Sequence, residues 1–224
     1  LAELTDTCTR VLVPDEPLTL AVRINRGRWQ SESGDHLGAV GAFEELLPEL
    51  VGAGGTDGIG ALYARYYLAR SRGLAGDPRA AVEGLTALVE YVLRTFERPA
   101  SPATLEFRLG LAHWQGRAGE PATALAGLES LLADHLRVLG ADHPDTLLVR
   151  HELAHWRGAS GDLEAAVAAY RSLLADLVRV LGPEHLRTVR ARQALAEWEA
   201  RATQPAHEPG RAPVRADHPE ATTP

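Results

Sequence analysis

Trp114, Trp156 and Trp198 are evenly spaced along the chain, and Trp29 stands two of the same intervals before the first of them, to within one position. Five arginines keep the same beat: Arg23, Arg65, Arg108, Arg150 and Arg192. The interval is about 42 residues, and a period of roughly 20–50 residues marks an array in which each unit buries one apolar face against its neighbour. Arrays of this kind bind other macromolecules far more often than they catalyse. The repeat therefore constrains the fold closely, and the partner hardly at all.

Residues 104–145 and 146–187 are identical at 21 of 42 aligned positions and define the unit. Its first helix is expected from about Thr146 to Ser160, where Val149, Leu153 and Trp156 recur at helical spacing on one face. Phe107, Leu111, Trp114 and Ala118 form the equivalent face one unit earlier. Small residues at Gly27, Ala69, Ala112, Ala154 and Ala196 leave room for a partner helix. Gly161 then breaks the helix and Asp162 is placed to cap the next, with Asp35, Asp77 and Glu120 at the same place elsewhere.

The second helix is expected over Leu163 to Leu181, with a stripe of Ala166, Val167, Tyr170, Leu173, Leu174 and Leu177 wide enough to be buried on two sides. Ala39/Phe43/Leu47, Ala81/Leu85/Val89 and Ala124/Leu128/Leu132 repeat it. Helix, tight turn, helix, turn describes an all-α fold, an α-solenoid of antiparallel pairs.

The divisions read from the sequence are residues 1–13, the end of a truncated preceding repeat; repeats at 14–60, 61–103, 104–145 and 146–187; a capping helix at 188–202; and a Pro-rich, disordered tail at 203–224. The first division follows from Arg10-Val11-Leu12, which lies three repeats before Arg137-Val138-Leu139, to within one position. From a start inside a repeat, a fragment or the C-terminal part of a longer protein is expected, with room for a further domain upstream in the same polypeptide. Ser71 replaces the tryptophan in the second unit and Arg26 replaces a leucine in the first, so looser packing is expected there.

Composition removes several chemistries. All 23 basic residues are arginine, which excludes functions that need a lysine amine, such as a P-loop or a Schiff base. With 30 acidic residues the chain is net acidic, which argues against binding a nucleic-acid backbone. A single cysteine, Cys8, excludes an internal disulfide. No apolar run is long enough to span a membrane, and no export signal is evident, so a cytoplasmic setting without membrane partners is expected.

The pattern Leu153-Ala154, Gly161, Ala166, Tyr170 resembles the tetratricopeptide repeat, and the 42-residue unit with its turn LGADHPDTL resembles the kinesin-light-chain-like variant found in actinobacterial signalling proteins. The resemblance covers about residues 10–201 and implies a tetratricopeptide-like superhelix whose first helices line a concave groove. Its helix-one aromatic is a tryptophan, one place earlier than the family's usual tyrosine. Kinesin light chains carry asparagines along that groove. The matching positions here are Ile24-Asn25, Tyr66-Tyr67, Leu109-Gly110, His151-Glu152 and Gln193-Ala194, so only Asn25 is retained.

One segment spells a different function. His151-Glu152-Leu153-Ala154-His155 is a literal H-E-x-x-H, the zinc-protease motif in which two histidines bind metal and the glutamate activates water. The repeat itself accounts for most of it. Leu111, Ala112 and His113 already stand one repeat before Leu153, Ala154 and His155, and the third-ligand position is Gly161. We therefore reject His151, Glu152 and His155 as a metal site and expect no enzyme activity and no cofactor, a zinc hydrolase being the remote alternative.

If the first helices line a groove, Arg28, Arg70, His113 and His155 form a ladder along it, ending at Glu197. Tyr63, Tyr66 and Tyr67 cluster beside the second rung. Such a face suits an acidic peptide or a carboxylate. The leading expectation is a non-catalytic protein-interaction module. The alternative is a sensor or oligomerisation arm of a larger signalling NTPase, kinase or transcription regulator. The arginines of the repeating beat recur in every unit, as structural residues do, and are expected to pair with acids between neighbouring helices.

Overall fold

The computed structural model describes residues 17–96 and 100–203, and all structural statements below concern these residues. They form nine helices and no strand: α1 (Pro17–Glu32), α2 (His36–Gly54), α3 (Ile59–Leu74), α4 (Pro78–Thr95), α5 (Pro102–Arg117), α6 (Pro121–Val138), α7 (Pro144–Ala159), α8 (Leu163–Leu181) and α9 (Leu186–Thr203). Each helix packs on the next, and α1, α3, α5, α7 and α9 also touch in sequence, forming one layer backed by the even-numbered helices. This is an all-α solenoid of antiparallel pairs. The half-repeat expected at 1–13 lies outside the described residues, as does the tail apart from Thr203, which closes α9.

The turns explain the pairing. Gly119 and Gly161 adopt φ of +92° and +97°, a left-handed conformation that costs a residue bearing a Cβ. Asp35, Asp77 and Asp162 then accept hydrogen bonds from the backbone N–H of Gly38, Ala80 and Ala165. Glu120 occupies the same position without capping, its side chain making no such bond. Five helices begin with a proline, Pro17, Pro78, Pro102, Pro121 and Pro144, whose missing N–H has no partner to lose in the first turn. This is why α7 starts at Pro144, two residues before the expected Thr146.

Each pair has its own core between a second helix and the two first helices flanking it. Around α8 it comprises Leu147 and Ala154 from α7, Ala166, Tyr170, Leu173 and Leu177, and Ala191 and Trp198 from α9. Ala39/Phe43, Ala81/Leu85 and Ala124/Leu128 repeat the arrangement in the other three cores.

Successive first helices meet through one recurrent contact. Trp114, Trp156 and Trp198 lie on Gly73, Gly116 and Gly158 of the unit before, so closely that a Cβ on each glycine would stand 2.6, 2.3 and 2.8 Å from the indole. Ser71 takes the tryptophan position in α3, and Ser31 takes the glycine position in α1. Both serines are buried, with hydroxyls 3.2 Å apart. The looser packing expected here is not found: α1 and α3 approach more closely than the other first-helix pairs, because two small side chains replace an indole.

Three arginines of the repeating beat pair with a carboxylate on their own second helix, at the same sequence interval each time. Arg108 bonds Asp134 at 2.6 Å, Arg150 bonds Asp176 at 2.8 Å, and Arg23 pairs with Glu49. Ser130 and Ser172 accept second bonds from Arg108 and Arg150. Arg65 and Arg192 depart from the expectation. Arg65 bonds the Thr56 carbonyl and lies over the Tyr91 ring, and Arg192 bonds the Pro183 carbonyl.

A second set of pairs crosses between units: Arg72–Glu44, Arg157–Glu129 and Arg171–Glu199, again at one fixed interval. In the last pair the charges have exchanged helices. The sequence reading missed this seam, whose signal is the alternation Glu44, Glu129, Arg171 against Arg72, Arg157, Glu199.

Candidate binding groove

The ladder lies on the layer of first helices, and each rung is conditioned by one residue of the following unit. Arg28 interacts with the Tyr67 hydroxyl, which raises its pKa against the opposing effect of burial, and Glu32 adds to the rise. It also stacks over Trp29 at 5.4 Å, while its buried Nε, 3.7 Å from Glu32 Oε1, has no hydrogen-bond acceptor. His113 Nδ1 meets Glu152 Oε2 at 3.1 Å. Tyr67 and Glu152 occupy equivalent positions in their units. At Arg70 and His155 the corresponding positions of the next unit are Gly110 and Ala194, which offer no side-chain acceptor. Arg70 accordingly makes no ion pair or side-chain hydrogen bond within the described residues, leaving a guanidinium available at the second rung.

The three tyrosines do not share one role. Tyr66 is only 9 % exposed and packs on Phe107 at 5.3 Å, with Gly110 so close that a Cβ there would meet its ring at 2.7 Å. Burial pushes its phenol well above the usual range. Tyr66 is thus a core residue, packed closely against Gly110 of the next unit. Tyr63 and Tyr67 are half-buried and stack at 6.1 Å. The Tyr63 hydroxyl donates to Glu106 at 3.0 Å, and burial, with that carboxylate, pushes its pKa up to about 12. Asn25 turns its amide back to the Ala21 carbonyl of its own helix.

The H-E-x-x-H segment is woven into the repeat contacts. Glu152 Oε2 accepts from the Trp156 indole N–H at 3.1 Å as well as facing His113. Burial tends to raise its pKa, but the contact with His113 and the indole bond bring it below the ordinary value. His151 sits edge-on to Tyr170 at 5.2 Å, and His155 edge-on to Trp156 and Trp198 at 4.9 and 5.8 Å. Burial lowers the pKa of both imidazoles, with Glu152 pulling the other way. Among the described residues no group of three or more His, Cys, Asp or Glu is placed to hold a metal ion.

Beyond the ladder, a cleft of 340 Å³ opens between α7 and α9, floored by Leu147, Leu148 and Leu177 and edged by His151 and Arg190. The sequence reading did not single out Arg190. It stands at the position of Tyr63, Glu106 and Leu148, a column whose chemistry changes in every unit, as ligand contacts do. No described helix is long and apolar enough to cross a membrane.

No protein-family model and no curated protein matches the sequence. Solved structures do match. A kinesin-light-chain-type protein of Podosopora anserina, built of nearly identical TPR-like repeats, aligns with a TM-score of 0.69 and 25 % identity over 83 % of this chain and 87 % of its own. BtubC (BKLC) of P. vanneervenii aligns with a TM-score of 0.66 over 99 % of this chain and 96 % of its own, at 12 % identity. The chain thus has the TPR-like repeat fold of kinesin-light-chain type.

Proposed function

We propose that this chain is a non-catalytic interaction module that holds an acidic segment of a partner protein along its first-helix face. The observation that carries the reading is the ladder, and above all Arg70, a guanidinium without an internal counter-ion beside the half-buried Tyr63 and Tyr67. Arginine together with aromatic area is the composition of interface hot spots. The likeness to TPR-like repeat proteins supports a scaffold of this kind. Glu152 Oε2 is engaged by His113 of the preceding unit and by the Trp156 indole of its own helix, which supports a packing role for the H-E-x-x-H segment over a hydrolytic one.

The test is fluorescence anisotropy with a labelled acidic peptide pool and with its Asn/Gln-substituted counterpart. Wild type should bind the acidic pool more tightly, and Arg28→Glu with Arg70→Glu should abolish the preference. Equal binding of both pools, or no effect of the double variant, would overturn the groove assignment.

A further inference from the structure

The second unit departs from its sisters at one place outside the groove. Arg65 belongs to the column whose members Arg23, Arg108 and Arg150 each pair with an internal carboxylate. At the matching place after Arg65 stands Tyr91 rather than an acid, and the position of Ser130 and Ser172 is filled by Ala87. Both internal acceptors are therefore missing in this unit alone among α1–α8. Arg65 retains only the Thr56 carbonyl at 3.3 Å and the face of Tyr91 at 5.5 Å.

The substitutions leave space as well as charge. A cleft of 270 Å³ lies at this position, lined by Arg65, Arg72, Thr56 and Tyr91 over a floor that includes Ala69 and Gly84. The Tyr91 hydroxyl donates to Thr56 Oγ1 at 3.2 Å, so the cleft has hydroxyls as well as guanidinium along its wall. Arg72 is already neutralised by Glu44 at 2.8 Å. Asp57 lies at the outer edge, with Oδ1 3.4 Å from Thr56 Oγ1. Arg65 and Arg70 are five positions apart, about 140° around α3, so this is a different face from the ladder.

We infer that the cleft around Arg65 is a binding site for an external carboxylate, taking the place that Asp134 and Asp176 fill inside their own units. One guanidinium is left without an ion partner, which matches a monoanion of the size of an aspartate side chain. A dianionic phosphate finds only that one surplus charge, with Asp57 opposing it. Arg108 and Arg150 give Nη1 to their aspartates, whereas Nη1 of Arg65 holds only the Thr56 carbonyl at 3.3 Å, an acceptor that a carboxylate with its charge-assisted bond would displace.

The site is tested on the whole chain by NMR, following the arginine Nε–Hε resonances during titration with N-acetyl-aspartate N-methylamide, acetate, inorganic phosphate and chloride at constant ionic strength. Arg65 should shift saturably with the two carboxylates, while Arg108 and Arg150, already paired, stay still. In the variant Ala87→Ser with Tyr91→Asp, which rebuilds the sister arrangement, the response should vanish and Tm should rise. That second readout shows the variant folded. The aspartyl amide exceeding acetate assigns the carboxylate to a protein side chain, and the reverse assigns it to a small free acid. A shift of Arg65 no larger than that of Arg150, or a larger one with phosphate or chloride, overturns the inference. None of these outcomes depends on the groove.

Discussion

The indole of Trp156 lies flat against Gly116 of the preceding unit, and a single methyl on that glycine would stand 2.3 Å from the ring. Alanine is the better helix former by about 1 kcal/mol. Overpacking of this kind costs about 1–3 kcal/mol, so the contact decides the sign. Gly116→Ala should lower Tm, whereas Gly41→Ala, where nothing stands within 4 Å, should raise or preserve it. The chain contains its own compensated version in Ser31 and Ser71. Gly116→Ser and Trp156→Ser should therefore be less destabilising together than the sum of the singles, as measured by thermal denaturation. Strict additivity would mean that the indole and the glycine are not coupled.

Two partly buried histidines set a pH limit. The folded pKa of His151 and of His155 lies below the roughly 6.5 of an unfolded histidine, chiefly through burial. The folded chain then binds fewer protons than the unfolded one, so stability rises with pH. This contribution is complete above about pH 6.5 and is lost as pH falls through the folded values. Arg187 and Arg190 face His151, and His113, Arg117 and Arg201 face His155, all opposing the protonated form, while Glu152 favours it. Tm should fall from about pH 7 to about pH 5, and His151→Gln with His155→Gln should flatten that slope. Asp134, Asp176 and Glu152, held below their ordinary values, lose their contribution in a separate, more acidic step. An unchanged slope in the double variant would place the effect elsewhere.

The solenoid is legible in the sequence because its information is periodic. Tryptophan, glycine and arginine return at a fixed interval, and a helix pair is the simplest unit that buries Ala166, Tyr170 and Leu173 on both sides. What the sequence hides is what depends on neighbouring units. Nothing local to Gly116 says that Trp156 rests on it, and nothing local to Arg70 says that Gly110 leaves it unpaired. Tyr66 groups with Tyr63 and Tyr67 because the three are close in sequence, yet helical geometry sends it into the core. Arg65 looks like its four sisters until the fold brings Tyr91 beside it.

Binding in the groove should depend on salt in a way that distinguishes the rungs. Arg70 has no counter-ion to give up, so Arg70→Gln should remove a full attraction and reduce the salt dependence of acidic-peptide affinity. His113 already faces Glu152 at 3.1 Å, so His113→Gln should change affinity and its salt dependence little. Titrations at low and high ionic strength check the contrast. Equal effects of the two substitutions would contradict the assignment of Arg70 as the principal rung.

The seam between units offers the most direct test of how the array keeps its register. Glu129 on α6 meets Arg157 on α7, whereas Arg171 on α8 meets Glu199 on α9 with the charges exchanged. Both pairs are exposed at their outer edges, so each contributes about 0.2–1 kcal/mol. Arg157→Glu sets two glutamates against each other and should lower Tm. Adding Glu129→Arg recreates the orientation already present one unit later and should restore most of the loss, with the restoration diminishing at high salt. If the exchanged pair is no better than the single variant, the orientation at this seam matters and the charges at Arg171 and Glu199 are not interchangeable with it.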